Sequence, residues 1–259
     1  MGVDLLLTHG YRMFEDPHEL AVMKPYPPLG ILYLSSHLKA QGFRVEVFDS
    51  TFADRDAFER RLDELRPPVV GIYTNLMTRI NVLDMLKRCT ARGIFVVLGG
   101  PDPANHVERY LAAGADAIVI GEGEVTLTEL LEARRGPAPT DLSGIAGVAF
   151  RAADGRVVRT LPRSNLRDLD AQPFPDREAI DLDRYVTTWR EHHGRGSVSL
   201  ITARGCPYTC TWCSHAVYGY THRRRSPENV ADEVERSSSA TGRRCSGTRT
   251  TCSPSIAPG

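Results

Sequence analysis

Three cysteines lie close together in the stretch ITARGCPYTCTWCSH, residues 201–215. Cys206, Cys210 and Cys213 have the spacing Cys-x-x-x-Cys-x-x-Cys. Three thiolates on one short loop can bind a compact inorganic centre and leave one coordination position open. Such a position suits a catalytic metal ion, or an iron–sulfur cluster with one iron free to bind a substrate.

Structural zinc is the alternative that the spacing leaves open. A structural zinc site usually has four ligands, and His215, two residues after Cys213, could supply the fourth. A disulfide is a poorer explanation, because three cysteines within eight residues are typical of a reducing compartment in which thiolates hold metal.

The composition restricts the kind of protein. The 259 residues include 32 Lys and Arg and 32 Asp and Glu, so the formal net charge is zero. This balance favours neither a nucleic-acid surface nor a membrane surface as a partner. No apolar run approaches the roughly 20 residues of a membrane helix, and the N-terminal stretch lacks the basic region of a signal peptide. The sequence therefore predicts a cytoplasmic protein whose partners are neither nucleic acids nor membranes.

Strand and helix patterns alternate before the cysteines. Short runs rich in Val, Ile and Leu predict five strands, at residues 3–8, 44–49, 69–73, 94–99 and 116–121. Amphipathic stretches predict five helices, at residues 29–41, 54–66, 79–92, 104–112 and 124–134. The alternation predicts an α/β fold with a doubly wound five-stranded parallel sheet of Rossmann or flavodoxin type. Such sheets bind ligands beyond the carboxyl ends of their strands.

Unusual loops follow three of the predicted strands. Their notable residues are Thr74 and Asn75 after the third strand, Gly99, Gly100 and Pro101 at the end of the fourth, and Gly121, Gly123 and Glu124 at the end of the fifth. Glycines let the backbone approach a ligand closely, and the helix starts that follow offer N–H groups. A tight strand-to-helix turn would explain any one of these loops, but three on one edge favour a ligand of some size.

The pattern changes after residue 136. Residues 137–196 predict a hairpin, with its turn at Asp154 and Gly155, and then an ordered, proline-punctuated linker. An apolar strand at residues 197–203 leads directly into the cysteine loop. A helix that Ser226 caps is predicted to begin at Pro227.

Two parts of the chain resemble known families. The stretch RGCPYTCTWCSH resembles the signature of the radical S-adenosylmethionine (SAM) enzymes. The stretches PPLGILYLSSHLKAQGFRVEVFD, GGPDPAN and GEGE resemble the cobalamin-binding domain that precedes this signature in one large class. The resemblance implies a cobalamin-binding domain at residues 1–136, the hairpin and linker at 137–196, and an incomplete radical SAM domain, its first β-loop-α unit, at 197–235.

The resemblance also implies roles for the cysteine loop. In that family three cysteines hold a 4Fe-4S cluster, its open iron binds S-adenosylmethionine, and one electron cleaves this cofactor to a 5′-deoxyadenosyl radical. The implied ligands here are Cys206, Cys210 and Cys213. Tyr208 and Trp212 are expected to line the SAM pocket.

Cobalamin is the third cofactor that the resemblance implies. The residues expected to meet its corrin ring and nucleotide tail are Pro28, Gly30, Thr74, Asn75, Gly99, Gly100, Pro101, Gly121, Gly123 and Glu124. The string Asp-x-His-x-x-Gly, through which some cobalamin domains coordinate cobalt, does not occur in this sequence. We therefore expect no protein histidine on cobalt, and we interpret His9 and His106 as ordinary polar loop residues.

The implied function is that of a cobalamin-dependent radical SAM enzyme, which transfers methyl groups or rearranges its substrate. Its substrate would be a small molecule or peptide that the sequence does not identify, and its electron donor a flavodoxin or ferredoxin. The stretch at residues 220–230, with arginines at 223–225, is interpreted as a solvated basic turn before the helix or, alternatively, as a segment that places one arginine against the cofactor carboxylate. Two other functions stay open, a non-catalytic cobalamin-binding module and a zinc-stabilised structural protein.

The C-terminal segment, residues 236–259, has no apolar periodicity and consists mainly of Ser, Thr, Arg and Gly. Such residues cannot bury enough surface to offset ordering entropy, so we expect disorder. The radical family continues with further strand–helix units, and without them we expect the chain to be too short for activity. A shifted reading frame after Glu235 is one hypothesis for the change, and it would make Cys245 and Cys252 products of the shift; the alternative is that these two cysteines add to a metal site.

Overall fold

The computed structural model describes residues 2–136, 140–211, 213, 215, 217–240 and 249–250. This part of the chain folds around one large sheet. Its strands are β1 (Leu5–His9), β2 (Val45–Phe48), β3 (Val69–Tyr73), β4 (Phe95–Gly99), β5 (Ala117–Val119), β6 (Val148–Arg151) and β7 (Val157–Arg159). Their order in space is β2-β1-β3-β4-β5-β6-β7. The first five strands are parallel, which confirms the predicted five-stranded parallel sheet.

Helices cover both faces of the sheet. On one face lie α2 (Leu29–Ala40) and α7 (Glu124–Arg135), and on the other lie α3 (Arg55–Leu65), α4 (Arg79–Thr90) and α6 (Val107–Ala112). There are also two short helices: α1 (Pro17–Val22) lies between β1 and α2, and α5 (Pro101–Asn105) lies between β4 and α6. The helix predicted at 104–112 is therefore divided, because α5 ends at Asn105 and His106 separates it from α6.

Strand β1 shows why the core has two halves. Leu5 and Leu7 pack into the core under α2 and α7, while Leu6, between them, packs into the core under α3, α4 and α6. All three side chains are at most 1% exposed. Successive residues of a strand point to opposite faces, so a sheet that is covered on both faces needs a continuous apolar run.

The predicted hairpin forms, but it is part of the sheet and not of a separate linker. Strand β6 pairs antiparallel with β5, and β7 pairs with β6. Gly155 adopts a φ of 85° at the predicted turn. The edge of β5 that faces away from β4 would leave N–H and C=O groups unpaired, and β6 satisfies them while its apolar side chains join the core under α2 and α7.

Helix α8 (Leu182–His193) lies in the stretch that the sequence predicted to be a linker. Asp181 accepts a hydrogen bond from the backbone N–H of Arg184 at 3.0 Å, and Gly194 ends the helix with a φ of 72°. One face is buried, by Leu182, Tyr185, Val186 and Trp189. This helical spacing was present in the sequence but was hidden by the prolines and charges that precede it.

The prediction of one strand at residues 197–203 is wrong. This segment is broken into two two-residue strands, β8 (Ser199–Leu200) and β9 (Ala203–Arg204). Strand β9 pairs antiparallel with β10 (Arg223–Arg224), and β8 pairs in parallel with β11 (Arg249–Thr250). Each half therefore satisfies its backbone with a different partner.

Helix α9 (Pro227–Ala240) begins where the sequence predicted, and Ser226 Oγ accepts a hydrogen bond from the Asn229 N–H at 3.1 Å. It continues five residues beyond Glu235, so the expectation of disorder is wrong for residues 236–240, and also for β11. Ser237 is buried one turn after the buried Glu233, so the packed face of the helix continues. Residues 241–248 and 251–259, with Cys245 and Cys252, lie outside the described residues. None of the described helices is long and apolar enough to cross a bilayer.

A polar contact holds α8 on the sheet. Tyr185 is fully buried, and its hydroxyl lies 2.7 Å from both Asp49 Oδ2 and Thr51 Oγ1. Asp49 Oδ1 also lies 3.0 Å from Nε2 of His9. Burial alone would raise the pKa of the Asp49 carboxyl, but the hydrogen bonds from His9 and Tyr185 outweigh it and hold this pKa below its usual value.

We expect Tyr185→Phe to lower the free energy of unfolding by about 2 kcal/mol at pH 7, because a buried carboxylate loses a hydrogen-bond donor. The lowered pKa of Asp49 makes its contribution to stability present above the unfolded-state pKa, and this contribution is lost as pH falls through the folded-state value. The difference between the two proteins should therefore narrow below about pH 4. Urea unfolding followed by circular dichroism between pH 7 and pH 3 measures both effects.

Tyr220→Phe is the matched control. Tyr220 is 62% exposed, so the same change should alter the free energy of unfolding by less than about 0.5 kcal/mol. Equal losses in the two variants, or a loss in Tyr185→Phe that does not depend on pH, would contradict this account of Asp49.

Candidate cofactor site

A cavity of about 100 Å³ opens at the carboxyl edge of the parallel strands. We call it the sheet cavity. Its apolar lining is Leu7, Ile31, Leu34, Ile72, Val97, Val119, Val217 and Leu127, and its glycines are Gly30, Gly71, Gly99, Gly100, Gly121 and Gly123. A Cβ atom added to Gly30 or Gly99 would meet nothing within 4 Å, so these glycines face open space. Gly100 has a φ of 103°, and an added Cβ would overlap the carbonyl oxygen of Thr74.

A second cavity, of about 250 Å³, adjoins the first. We call it the tyrosine cavity, because four tyrosines line it: Tyr11, Tyr26, Tyr73 and Tyr218. The two cavities share Gly30, Ile31, Tyr73 and Tyr218. A single large ligand could therefore occupy both.

The tyrosines are uncharged at neutral pH. Tyr11 stacks on Tyr26 with ring centroids 5.5 Å apart, and its hydroxyl donates to Glu19 Oε2 at 2.5 Å. Burial raises the pKa of Tyr11, Tyr26 and Tyr73, and it raises the pKa of Tyr218 to about 12. The cavity thus offers ring faces and neutral phenol groups, which suit a ligand that is partly apolar and partly hydrogen-bonding.

Most of the residues expected to meet cobalamin line these cavities. Gly30, Gly99, Gly100, Gly121, Gly123 and Glu124 line the sheet cavity, and Pro28, Gly30 and Asn75 line the tyrosine cavity. Thr74 and Pro101 line neither. Thr74 is fully buried, and its N–H donates to the carbonyl oxygen of Gly99 at 2.8 Å, so it shapes the loop. Pro101 begins α5.

His9 differs from its sequence interpretation. It ends β1 and is only 3% exposed, so it is not an ordinary loop residue. Its Nε2 contacts Asp49, and its Nδ1 accepts a hydrogen bond from the Tyr11 N–H at 3.3 Å. His106 lies between α5 and α6 with its side chain 35% exposed.

The sequence did not reveal the tyrosines as site residues. They come from the loop after β1, the loop before α2, the end of β3 and the end of the cysteine loop. A search for aromatic residues beside predicted strand ends would have found Tyr11 and Tyr73. Only the fold places Tyr26 and Tyr218 next to them.

The cysteine loop, residues 205–222, joins β9 to β10. Cys206 is partly exposed, and Cys210 and Cys213 are exposed. Among the described residues no three His, Cys, Asp or Glu side chains are placed to hold one metal ion, so the structure does not gather the three thiols. Tyr208 is 57% exposed, and Trp212 lies outside the described residues.

The donor set nevertheless fits a cluster, because three accessible soft sulfur ligands stand on one loop whose two ends are held together. Gly205 has a φ of 83°, and an added Cβ would overlap the carbonyl oxygen of Thr221, so the two ends approach closely only because residue 205 is glycine. His215 stacks on Tyr220 at 4.1 Å, and its Nε2 is a buried atom with no hydrogen-bond partner among the described residues.

Buried charges connect the ends of this loop to the sheet cavity. Arg204 is 5% exposed, and its Nη1 lies 2.8 Å from Glu122 Oε1 and 2.7 Å from Glu124 Oε1. Arg223 Nη1 lies 2.7 Å from Glu122 Oε2. We call these four residues the Glu122 cluster. Burial alone would lower the pKa of the Arg204 guanidinium, but Glu124 and Glu122 outweigh it and raise this pKa.

The interpretation of this stretch as a solvated turn is wrong for Arg223, whose side chain is 12% exposed and paired with Glu122, and for Arg225. The Arg225 side chain is 4% exposed and is paired with Glu233, which also contacts Arg177 at 2.6 Å. Arg224 is exposed, as the interpretation expected. A buried guanidinium needs a partner because desolvation is costly, and Glu233 on α9 supplies it.

The chain has recognisable relatives. A model of the B12-binding domain matches residues 21–131. The chain is 31% identical to the anaerobic magnesium-protoporphyrin IX monomethyl ester cyclase of Rubrivivax gelatinosus, over 81% of this chain and 39% of the relative. It is 33% identical to the cobalamin-dependent radical SAM methyltransferase TokK of Streptomyces tokunonensis, over 62% of this chain and 24% of the relative. It spans less than half the length of these relatives.

A solved structure has the same fold. The cobalamin-dependent S-adenosylmethionine radical enzyme OxsB, with aqua-cobalamin and S-adenosylmethionine bound, superposes with a TM-score of 0.76 at 19% identity. The superposition covers 96% of this chain and 34% of that one. The matched B12-binding domain and the two sequence relatives identify the chain as a member of the radical SAM family that carries a cobalamin-binding domain.

Proposed function

We propose that this chain binds cobalamin in its two adjoining cavities and a 4Fe-4S cluster on its cysteine loop, as part of a radical SAM methyltransferase. One observation carries the proposal: the two features are contiguous. Val217 and Tyr218 of the cysteine loop, and Arg204 at its base, line the same cavity as the glycine loops of the B12-binding region. A methyl carrier and a radical source must both reach the same substrate carbon, so they must lie close together.

The residues that would hold cobalamin are those that shape the cavities. The backbone at Gly99 and Gly121 leaves room for a close approach, and the apolar lining of the sheet cavity would exclude water from the part of the cofactor that enters it. When bound, cobalamin would supply a metal centre that carries a methyl group. His9 supports binding without a protein histidine on cobalt, because both of its ring nitrogens already have partners.

The cysteine loop would hold the cluster through Cys206, Cys210 and Cys213. The cluster would supply the electron that cleaves S-adenosylmethionine. The chain's own contribution is to fix the base of the loop against the cavity through the Glu122 cluster. We further propose that the substrate is a small molecule or a peptide, and that a flavodoxin or ferredoxin donates the electron.

Zinc is a second candidate for the cysteine loop. The buried Nε2 of His215, which has no hydrogen-bond partner within the described part of the chain, favours it, since a nitrogen ligand would complete a four-coordinate site with the three thiolates. Metal analysis distinguishes the two.

We expect Gly99→Leu to weaken the binding of hydroxocobalamin at least about tenfold, because the new side chain would occupy the sheet cavity and overpacking costs about 1–3 kcal/mol. The added atoms would meet no protein atom near the Cβ position, so the fold should be kept. Titration followed by the visible absorption of the corrin gives the dissociation constant.

Gly144→Leu is the control for this variant, because Gly144 is exposed, lines neither cavity and has open space at its Cβ position. It should bind hydroxocobalamin as the parent chain does. Unchanged binding by Gly99→Leu would move the cofactor away from the sheet cavity, and no corrin binding by the parent chain would end the cobalamin proposal.

Anaerobic reconstitution with iron and sulfide should give about four irons and four sulfides per chain. Replacing Cys206, Cys210 or Cys213 with alanine should each lower the iron content several-fold, because the cluster loses a ligand. Iron and sulfide assays with a visible spectrum check this. Cys89→Ala is the control, since Cys89 is buried and burial raises the pKa of its thiol to about 12.

His215→Ala separates the alternatives. It should keep the iron content if the three thiolates hold a cluster, and it should lose bound metal if the centre is zinc. About one zinc per chain, with no iron or sulfide after reconstitution, would replace the cluster with the zinc site.

A further inference from the structure

Both ends of the cysteine loop converge on one carboxylate. Arg204, on the strand that enters the loop, contacts Glu122 Oε1, and Arg223, on the strand that leaves it, contacts Glu122 Oε2. The two arginines face each other in the antiparallel pair β9–β10. Oε2 also accepts a hydrogen bond from the Leu166 N–H at 2.8 Å. One carboxylate therefore contacts both strands at the base of the loop.

The same side chain belongs to the wall of the sheet cavity. Glu122 lies between Gly121, which has a φ of 90°, and Gly123, and all three line that cavity together with Arg204. Glu124, the first residue of α7, is the second carboxylate on Arg204. Two carboxylates and two guanidiniums balance in charge, so each buried carboxylate has a cationic partner within the cluster.

A ligand that fills the sheet cavity would thus touch the segment that carries Glu122. Restricting this segment restricts both arginines, because a buried ion pair has few alternative arrangements. A coupling of this kind works equally in both directions.

We propose that Glu122 is a positioning residue that ties the base of the cysteine loop to the sheet cavity, so that filling the cavity with cobalamin orders the loop. This inference rests on the proposed binding of cobalamin. The inference concerns residues 203–205 and 221–224. It does not require that a 4Fe-4S cluster be bound.

Hydrogen–deuterium exchange on the full chain, with and without hydroxocobalamin, tests the coupling. In the parent chain, hydroxocobalamin should slow exchange at residues 203–205 and 221–224 about tenfold, within the usual range of coupling between sites. In Glu122→Gln, which keeps the shape but loses the charge, it should slow exchange less than about twofold. If Glu122 has only a structural role, exchange in Glu122→Gln should be faster both with and without hydroxocobalamin, and hydroxocobalamin should still slow it about tenfold. That result would overturn the proposal.

Arg223→Gln is a second variant that keeps Arg204 paired with both carboxylates. In this variant, hydroxocobalamin should no longer slow exchange at residues 221–224 but should still slow it at residues 203–205. The variant tests the coupling even if Glu122→Gln fails to fold. Slowing at both ends in Arg223→Gln would overturn the proposal. Glu129→Gln is the control: Glu129 lies on α7, is paired with Arg163 and does not line the cavity, so this variant should behave as the parent chain does.

The parent chain separates this inference from the proposed function. If it binds no hydroxocobalamin by visible absorption, both are wrong. If it binds hydroxocobalamin but exchange at the loop base does not change, only the coupling is wrong.

Discussion

Burial of both faces of the parallel sheet is the constraint on which the rest of the structure depends. Leu6 faces one half of the core, while Leu5 and Leu7 face the other, and the neighbouring strands follow the same alternation. A sheet that is covered by helices on both sides has no exposed face for a ligand, so the edge at the carboxyl ends of the strands becomes the place for one. The glycine loops, the tyrosines and the base of the cysteine loop meet at this edge, because helices already cover both faces of the sheet.

Polar contacts help to hold residues 177–233 on this core. Tyr185 reaches Asp49, Arg204 reaches the two glutamates before and at the start of α7, and Tyr33 of α2 donates a hydrogen bond to Glu233. Apolar packing tolerates small shifts, whereas a buried ion pair loses most of its value when one partner moves. These contacts therefore define the position of the cysteine loop more narrowly than apolar packing would.

Local patterns explain what could be predicted from the sequence. The parallel strands, the Gly155 turn and the start of α9 at Pro227 each depend on residues within a few positions of one another. Contacts between distant residues could not be predicted from local patterns. Glu122 and Arg204, for example, are 82 residues apart, and no periodicity links them. Arg225 was misread for the same reason, because a charged residue in a polar stretch gives no sign that Glu233 will bury it. Helix α8 was missed because its apolar spacing begins within a run of charges.

The cysteine loop combines a buried base with an accessible tip, and this division bears on how it would bind a cofactor. Charge pairs and the close contact between Gly205 and Thr221 hold the base without any help from the thiols. Cys210 and Cys213 stay exposed, so metal or sulfide can reach them after the fold has formed. A loop that is already anchored at both ends loses less conformational entropy when its ligands close around a centre, and the binding energy that would otherwise order the chain remains for affinity. The position of the centre relative to the cavity would then be set by Glu122 and not by the cysteines themselves.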